Sequence, residues 1–238
     1  MCSDNKSKFT LKRNNVKSET TTHRFIQNIC SAALKESLII ALMGEPGIGK
    51  TRSLGELSQR SGEMHFLSLG KSFKPINFYR SILRSVSGRE PDPKLTLYQT
   101  MTNCVEEIKF KGKRLLLIID EGGKINSYVM IEFIHELSVQ TEGKLGIVIS
   151  GPPYMKLIID RWVRTNKPGA QEFSRRVNVW TTVPQPTQSD FEIMLKSEGI
   201  TESHLISLFT NGARTYADVK NRMIAYNVEL EMNLHLNS

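Results

Sequence analysis

Apolar residues fall into short runs separated by amphipathic stretches, and this alternation predicts strands and helices taking turns. The first run, Leu38-Ile-Ile-Ala-Leu-Met43, has the length and side-chain character of a strand buried on both faces. Met64 to Leu69, Leu115 to Ile119, Leu145 to Ile149 and Val177 to Thr182 repeat it, giving five predicted strands. Helical spacing fills the intervals. Phe25, Ile29, Ala32 and Ala33 mark a helix ending near Glu36, and a second runs from Arg52 to Arg60. A third opens at Pro75, a residue suited to a first helical turn, and carries Ile76, Tyr79, Ile82, Leu83 and Val86 on one side. Leu95 to Ile108, Tyr128 to Thr141 and Tyr154 to Val163 read as helices too. Beyond Pro184 and Pro186 only helices are predicted: Ser189 to Lys196, Glu202 to Phe209 and Thr215 to about Leu230. Gly199 and Gly212 separate them, and Thr215-x-x-Asp218 fits a capping box. The order predicts an α/β core over residues 21–184 with a five-stranded parallel sheet between helical layers. Residues 185–238 form a small C-terminal helical lid, and residues 1–20, polar and without apolar period, are expected to be a flexible basic arm.

Directly after the first strand stands Gly44-Glu45-Pro46-Gly47-Ile48-Gly49-Lys50-Thr51, which matches the phosphate-loop pattern G-x-x-x-x-G-K-[ST]. The three glycines let the backbone wrap closely, so that successive N–H groups point at a polyphosphate. Lys50 adds a point charge on the outer phosphates and Thr51 offers a hydroxyl to Mg²⁺. Helix propensity resumes at Arg52, which sets the anion at a helix N-terminus. This stretch predicts binding of a nucleoside triphosphate. The third predicted strand ends in Asp120-Glu121, where Asp120 would complete the Mg²⁺ shell and Glu121 would polarise an attacking water. Ser150, at the exit of the fourth strand, is the candidate sensor of the γ-phosphate, although a serine there also suits the turn into Pro152-Pro153. The helix that begins around Phe25 precedes the first strand and is placed to close over the base.

Charge sharpens the picture. The net charge is +8, which favours a polyanionic partner. Residues 1–24 hold six Lys/Arg against two acids, as do residues 71–94. Lys71 and Lys74 leave the second strand at the same sheet edge as the phosphate loop, where basic residues could touch a phosphate backbone, and Arg80 and Arg84 share one helix face beyond them. Lys109 to Arg114 leads into a strand from the opposite edge and is assigned to solvent. The cysteines, Cys2, Cys30 and Cys104, have no metal-ligand spacing, which predicts a reduced, cytoplasmic setting. His135-Glu136 lacks the second histidine a zinc helix requires. No apolar run approaches the ~20 residues of a membrane span, and the polar start predicts no secretory leader.

With phosphate loop, acidic pair, polar strand end, arginine pair before the last strand and helical lid in that order, the chain resembles the AAA+ ATPases. Within them it resembles the transposition ATPases: the phage Mu B protein, the TnsC-type target selectors and the IstB group. The likeness spans roughly residues 20–230. It rests on Thr22-His-Arg-Phe25, Gly44 to Thr51, Ile119-Asp-Glu121, Phe173-Ser-Arg-Arg176 and Asn211-Gly-Ala-Arg214. The resemblance implies a P-loop fold and an ATP site shared between subunits, with Arg175 or Arg176 as the finger reaching into a neighbour's site. It makes Arg214 a second sensor and places the double-stranded DNA contacts on Lys71, Lys74 and the helix of Arg80 and Arg84. It further implies an ATP-dependent homo-oligomer, ring or helical filament, that recruits a transposase with a target-selection factor. Ser150 stands where the family's sensor asparagine is usual, which implies slow hydrolysis. The other readings of the same residues are a helicase loader of the same superfamily, a P-loop kinase of small molecules, and a nucleotide-gated scaffold with negligible turnover.

Overall fold

The computed structural model describes residues 20–71 and 73–236. The expected basic arm up to Glu19, and Cys2 with it, lies outside the described residues. The strands are β1 (Ile39–Met43), β2 (Met64–Ser68), β3 (Leu115–Asp120), β4 (Leu145–Gly151) and β5 (Val177–Thr182). All pair in parallel, in the order β2-β3-β4-β1-β5. The five-stranded parallel sheet read from the sequence is the one observed.

Seven helices accompany these strands: α1 (Thr21–Glu36), α2 (Lys50–Arg60), α3 (Pro75–Ser87), α4 (Leu97–Phe110), α5 (Tyr128–Gln140), α6 (Tyr154–Arg164) and α7 (Ala170–Arg176). Three more follow β5: α8 (Gln188–Ser197), α9 (Ser203–Thr210) and α10 (Tyr216–Leu236). The described chain forms two compact units. One comprises residues 25–45 and 50–183, with the whole sheet; the other comprises residues 20–24, the tip of the phosphate loop (Pro46–Gly49) and residues 184–236.

In the sheet unit, alternate strand residues serve opposite faces, as a period of two requires. Ile39, Ala41, Leu115, Leu117, Ile119, Leu145, Ile147 and Ile149 share one core with α3 to α7, where Phe78, Ile82, Phe133, Ile134 and Phe173 are fully or almost fully buried. Ile40, Leu42, Leu116, Ile118 and Val148, also buried, point to the other face. Burial on both faces explains why these strands read as unbroken apolar runs.

Helix α1 covers that second face and corrects the pattern reading. The buried residues are Ile26, Cys30 and Ala33, whereas Phe25 and Ile29 are half-buried and Ala32 is exposed. The apolar stripe is rotated by one position because α1 approaches the sheet at Gly146, where the Ala33 carbonyl meets the space a side chain would fill. Burial pushes the Cys30 and Cys104 thiols up to about 12, so neither is a nucleophile at neutral pH. A helix not predicted from the pattern is α7: residues 170–176 are helical, and Arg175 and Arg176 occupy its last turn just before β5. Among the described residues no helix is long and apolar enough to cross a membrane.

The helical unit has its own core of Phe191, Leu195, Ile200, Leu205, Phe209, Val219 and Met223. The Thr215–Asp218 pair forms the expected reciprocal bonds, Thr215 N–H to Asp218 Oδ2 at 2.8 Å and Asp218 N–H to Thr215 Oγ1 at 3.1 Å. A second capping box joins Thr187 and Asp190 at the start of α8. Asp190, 1% exposed, also accepts from the Thr21 N–H at 2.6 Å, binding the first turn of α1 to α8. Burial raises the pKa of this carboxyl, but the bonds from Thr187 and Thr21 outweigh it and hold the group below its ordinary value. A depressed carboxylate contributes stability above the unfolded pKa and loses it as pH falls through the folded one. Asp190→Asn will therefore lower the stability of this unit by about 1–2 kcal/mol at pH 7, with the deficit shrinking below about pH 4. Thermal unfolding of both proteins across that range measures it; a deficit independent of pH would refute the assignment.

Candidate nucleotide site

The site begins where β1 hands over to α2. Gly44 N–H donates to the Gly151 carbonyl at 3.1 Å, which ties the start of the loop to the end of β4. Gly47 and Gly49 take φ of +83° and +88°, conformations that an L side chain adopts only under strain. Left-handed residues alternating with right-handed ones turn successive N–H groups to one side, which makes an anion cradle. Lys50 then opens α2, at the positive end of the helix dipole.

Within the sheet unit the loop's lysine donates to the carbonyls of Gly44 at 2.7 Å and Glu45 at 2.8 Å. Burial lowers the pKa of the Lys50 ammonium, and the carboxylates of Asp120, Glu121 and Glu45 restore part of the shift. An ammonium in this setting gains strongly from a phosphate. Thr51 Oγ1 donates to Asp120 Oδ2 at 2.7 Å, with Asp120 buried at the last position of β3. A hydroxyl and a carboxylate side by side are hard oxygen donors. They fit Mg²⁺, which takes few protein ligands and fills its octahedron with water and phosphate oxygens.

Glu121 follows in the left-handed region, φ +61° and ψ +36°, uncommon for a residue with a Cβ. It starts a 3-10 turn over Gly122–Lys124, closed by Lys124 N–H to Glu121 O at 2.8 Å. The two glycines are needed for space. A Cβ on Gly122 would stand 2.5 Å from Met155 Sδ and 2.8 Å from Ile149 Cγ2, and one on Gly123 would stand 2.8 Å from the Tyr154 hydroxyl. The turn is thus pressed against the β4–α6 connection, and the Glu121 carboxylate sits 3.3 Å from Lys124 Nζ.

Ser150 lies on β4, the strand between β3 and β1, and so between the acidic pair and the phosphate loop. Its hydroxyl is fully buried and has no hydrogen-bond partner in the protein. A buried hydroxyl left unbonded is costly, and a ligand oxygen would relieve it.

Within the helical unit, the tip of the loop rests on the start of α10. Ala217 N–H donates to the Gly47 carbonyl at 3.3 Å. A Cβ on Gly47 would lie 2.7 Å from Ala217 Cβ, and one on Gly49 would lie 3.3 Å from the Tyr216 ring. Arg214 immediately precedes these residues; it is exposed and its N–H donates to Asp218 at 2.9 Å. Nothing in the sequence marks Thr215, Tyr216 and Ala217 as neighbours of the loop. The capping box beside Arg214 is the one signal that α10 begins there.

The remaining candidates are placed as follows. Arg52 bonds Glu56 at 2.9 Å along α2, Phe25 is half-buried in α1, and Arg175 and Arg176 are exposed at the end of α7. Lys71 and Lys74 are exposed between β2 and α3. Arg80 instead donates to the Pro93 and Leu95 carbonyls, and Arg84 pairs with Glu90 at 3.0 Å. A cleft of about 630 Å³ beside α4 is lined by Glu90, Asp92, Glu106 and Glu107, whose charge repels phosphates.

A phosphate cradle, a half-buried lysine, a hard-cation pair and a neighbouring carboxylate together suit transfer of a phosphoryl group to water. The family model described as "AAA domain" matches residues 32–159, which is 128 of the 238 residues. No curated protein sequence matches. The fold is similar to that of Cdc6p from Pyrobaculum aerophilum, at 14% identity and a TM-score of 0.64, covering 94% of this chain and 64% of that one. It is similar to the ORC2 protein of Aeropyrum pernix, in ADPNP–ADP complexes, at 15% identity and 0.64, over 98% and 66% of the two chains. The ORC1 protein of Aeropyrum pernix, solved in complex with DNA, gives 13% and 0.58, over 89% and 60%. The chain thus spans less than two thirds of these relatives' length, and at such identities the likeness is one of fold.

Proposed function

As the chain belongs to the AAA domain family, we propose that it is a Mg²⁺-dependent ATPase whose copies assemble on double-stranded DNA. The observation that carries the ATPase reading is the convergence of Lys50, Thr51, Asp120 and Glu121 within one unit, with the unbonded Ser150 hydroxyl on the strand between. Lys50 and the loop N–H groups would hold the phosphates, and Thr51 with Asp120 would hold the cation, which supplies charge neutralisation. Glu121 would orient a water and accept its proton. Ser150 would donate to the terminal phosphate. Arg214, three residues before Ala217, would serve as the second sensor. Arg175 and Arg176, exposed and permanently charged, suit a finger offered to a second copy's nucleotide.

The DNA reading rests on the exposed Lys71 and Lys74 more than on Arg80 and Arg84, whose guanidinium groups hold the 90–95 loop. Such lysines contact the phosphate backbone without reading bases, so binding will be steeply salt-dependent and weakly sequence-specific. Lys71→Ala with Lys74→Ala will weaken ATP-dependent DNA binding at least about tenfold near physiological salt and reduce the salt slope by about two. Anisotropy titrations with labelled duplex at several salt concentrations test this, and an unchanged slope would refute it.

Two biological settings fit such an assembly. The order of motifs favours recruitment of a transposase with a target-selection factor, and the fold shared with Cdc6p and the ORC proteins favours a replication or helicase-loading role. Electron microscopy of the protein with ATP and long duplex tests the assembly common to both. A monomer under those conditions would overturn the proposal.

A further inference from the structure

The cleft beside α4 repels phosphates, yet it is a built feature of the sheet unit. Its volume of about 630 Å³ suits several side chains of a bound segment. Leu83, Pro91 and Leu95 give it apolar lining, and Phe110, which also lines it, is 87% exposed. An aromatic ring so open beside a concave surface offers area for a partner to cover. Glu106 and Glu107 add two carboxylates from α4, and neither makes an ion pair among the described residues. With Glu90 and Asp92 the lining acids outnumber its one basic residue, Arg89. The loop that completes the cleft is fixed in place. Arg80 donates to the Leu95 carbonyl at 3.2 Å, Arg84 pairs with Glu90 at 3.0 Å, and Thr96 with Gln99 forms a capping box at the start of α4. The opening is thus preformed, and little ordering is left for a ligand to impose.

We infer that this cleft receives residues 8–13 of a second copy of the chain, Lys-Phe-Thr-Leu-Lys-Arg, which precede the described residues. Charge is complementary: residues 1–19 carry five Lys/Arg against two acids, and Lys8, Lys12 and Arg13 have no acid among them. Phe9 and Leu11, at alternate positions, supply the apolar groups that Leu83, Leu95 and Phe110 would cover. The chain's own segment falls short of the cleft. Helix α1 packs on the sheet face opposite α3 and α4 and leads into the start of β1, so Phe25 lies toward the phosphate-loop end of the sheet. The cleft lies at the other end, beside the last turns of α3 and of α4, which leads into β3. The path from Phe25 runs about 18 Å along α1 and roughly 20 Å across to the far helical layer. The eight steps from Arg13 to Thr21 span at most about 28 Å. A contact of this kind joins different surfaces of the two copies, so it continues from copy to copy. It needs no nucleotide, and it stands or falls apart from the ATPase reading.

A fluorescein-labelled peptide of residues 5–14, titrated into the full-length protein without nucleotide and followed by anisotropy, tests the pairing. It should bind at least about fivefold more tightly than a scrambled peptide of the same composition. Glu106→Gln with Glu107→Gln should weaken it about five- to tenfold, and the exposed Glu106→Gln alone, which serves if the pair fails to fold, about two- to threefold. Phe110→Ala should weaken it at least about threefold. The source of the segment is read by cross-linking. Protein carrying Thr10→Cys and Cys2→Ser, mixed with protein carrying Ser87→Cys and Cys2→Ser, should give a heterodimer with a short bis-maleimide. Cys30 and Cys104 are buried and stay unmodified. No binding of the peptide, equal binding of the scrambled one, or native affinity in both glutamate variants overturns the inference. So does a chain carrying both Thr10→Cys and Ser87→Cys that links only within itself while the mixture gives no heterodimer, since the cleft then takes the chain's own segment.

Discussion

Glu121→Gln will retain ATP binding and hydrolyse it at least about a hundredfold more slowly than the native protein. Glutamine keeps the shape of the side chain and tolerates the same left-handed backbone, but it cannot accept a proton and carries no charge. In the proposed site the contacts that would hold nucleotide are elsewhere, on Lys50, on the loop N–H groups and on the Thr51–Asp120 pair. Loss of the carboxylate therefore falls on the transition state rather than on the ground state, and kcat should drop while the binding constant stays within a few-fold. Binding of a fluorescent ATP analogue and phosphate release, measured on the same preparations, separate the two quantities. Equal release rates would leave a nucleotide-gated scaffold as the better description. If the assembly on DNA is built on bound ATP, the variant should also persist there longer than the native protein.

That prediction is available from the sequence because the residues involved are local. A buried strand followed by a glycine-rich loop, and a second buried strand followed by two acids, each carry their chemistry within about ten consecutive residues. The structure adds what depends on partners distant in sequence. The apolar pattern misplaces part of the face of α1 because Phe25 and Ile29 outweigh Cys30 in hydrophobicity. The face that packs is the one whose small residues allow close approach to Gly146. Helix α7 is hidden in the pattern because its seven residues include two charged arginines and begin after Pro168-Gly169, a pair equally suited to a loop. Arg80 and Arg84 look like a basic face, yet their partners are carbonyls and a carboxylate of a loop up to fifteen residues away. The Glu121–Lys124 contact is out of reach for a different reason. An i,i+3 Glu–Lys pair is ordinary on a helix, and only the left-handed turn brings this one into the site.

Gly146→Ala should be the most damaging single-methyl change in the sheet unit. Gly146 lies in β4, hydrogen-bonded on both sides between β3 and β1, so its own backbone has no room to shift. A Cβ there would overlap the Ala33 carbonyl oxygen and stand 2.6 Å from its carbon and 3.2 Å from the Leu34 nitrogen. These are main-chain atoms of α1, and no rotamer change removes them. The helix would have to lift away, which opens gaps around Ile26, Cys30 and Ala33, all fully buried. Overpacking of this kind, joined to lost packing along a helix, should cost about 3 kcal/mol or more. Gly55 is the control: it sits in α2 with nothing within 4 Å of the place an added methyl would take, so Gly55→Ala should be neutral or stabilise by up to about 1 kcal/mol. Urea unfolding of the three proteins decides the matter. If Gly146→Ala unfolds at the native midpoint, α1 does not sit on the sheet as closely as the glycine implies. Because β4 also carries Ser150 and the Gly151 carbonyl that anchors Gly44, the variant should lose nucleotide affinity as well. Gly55→Ala should not.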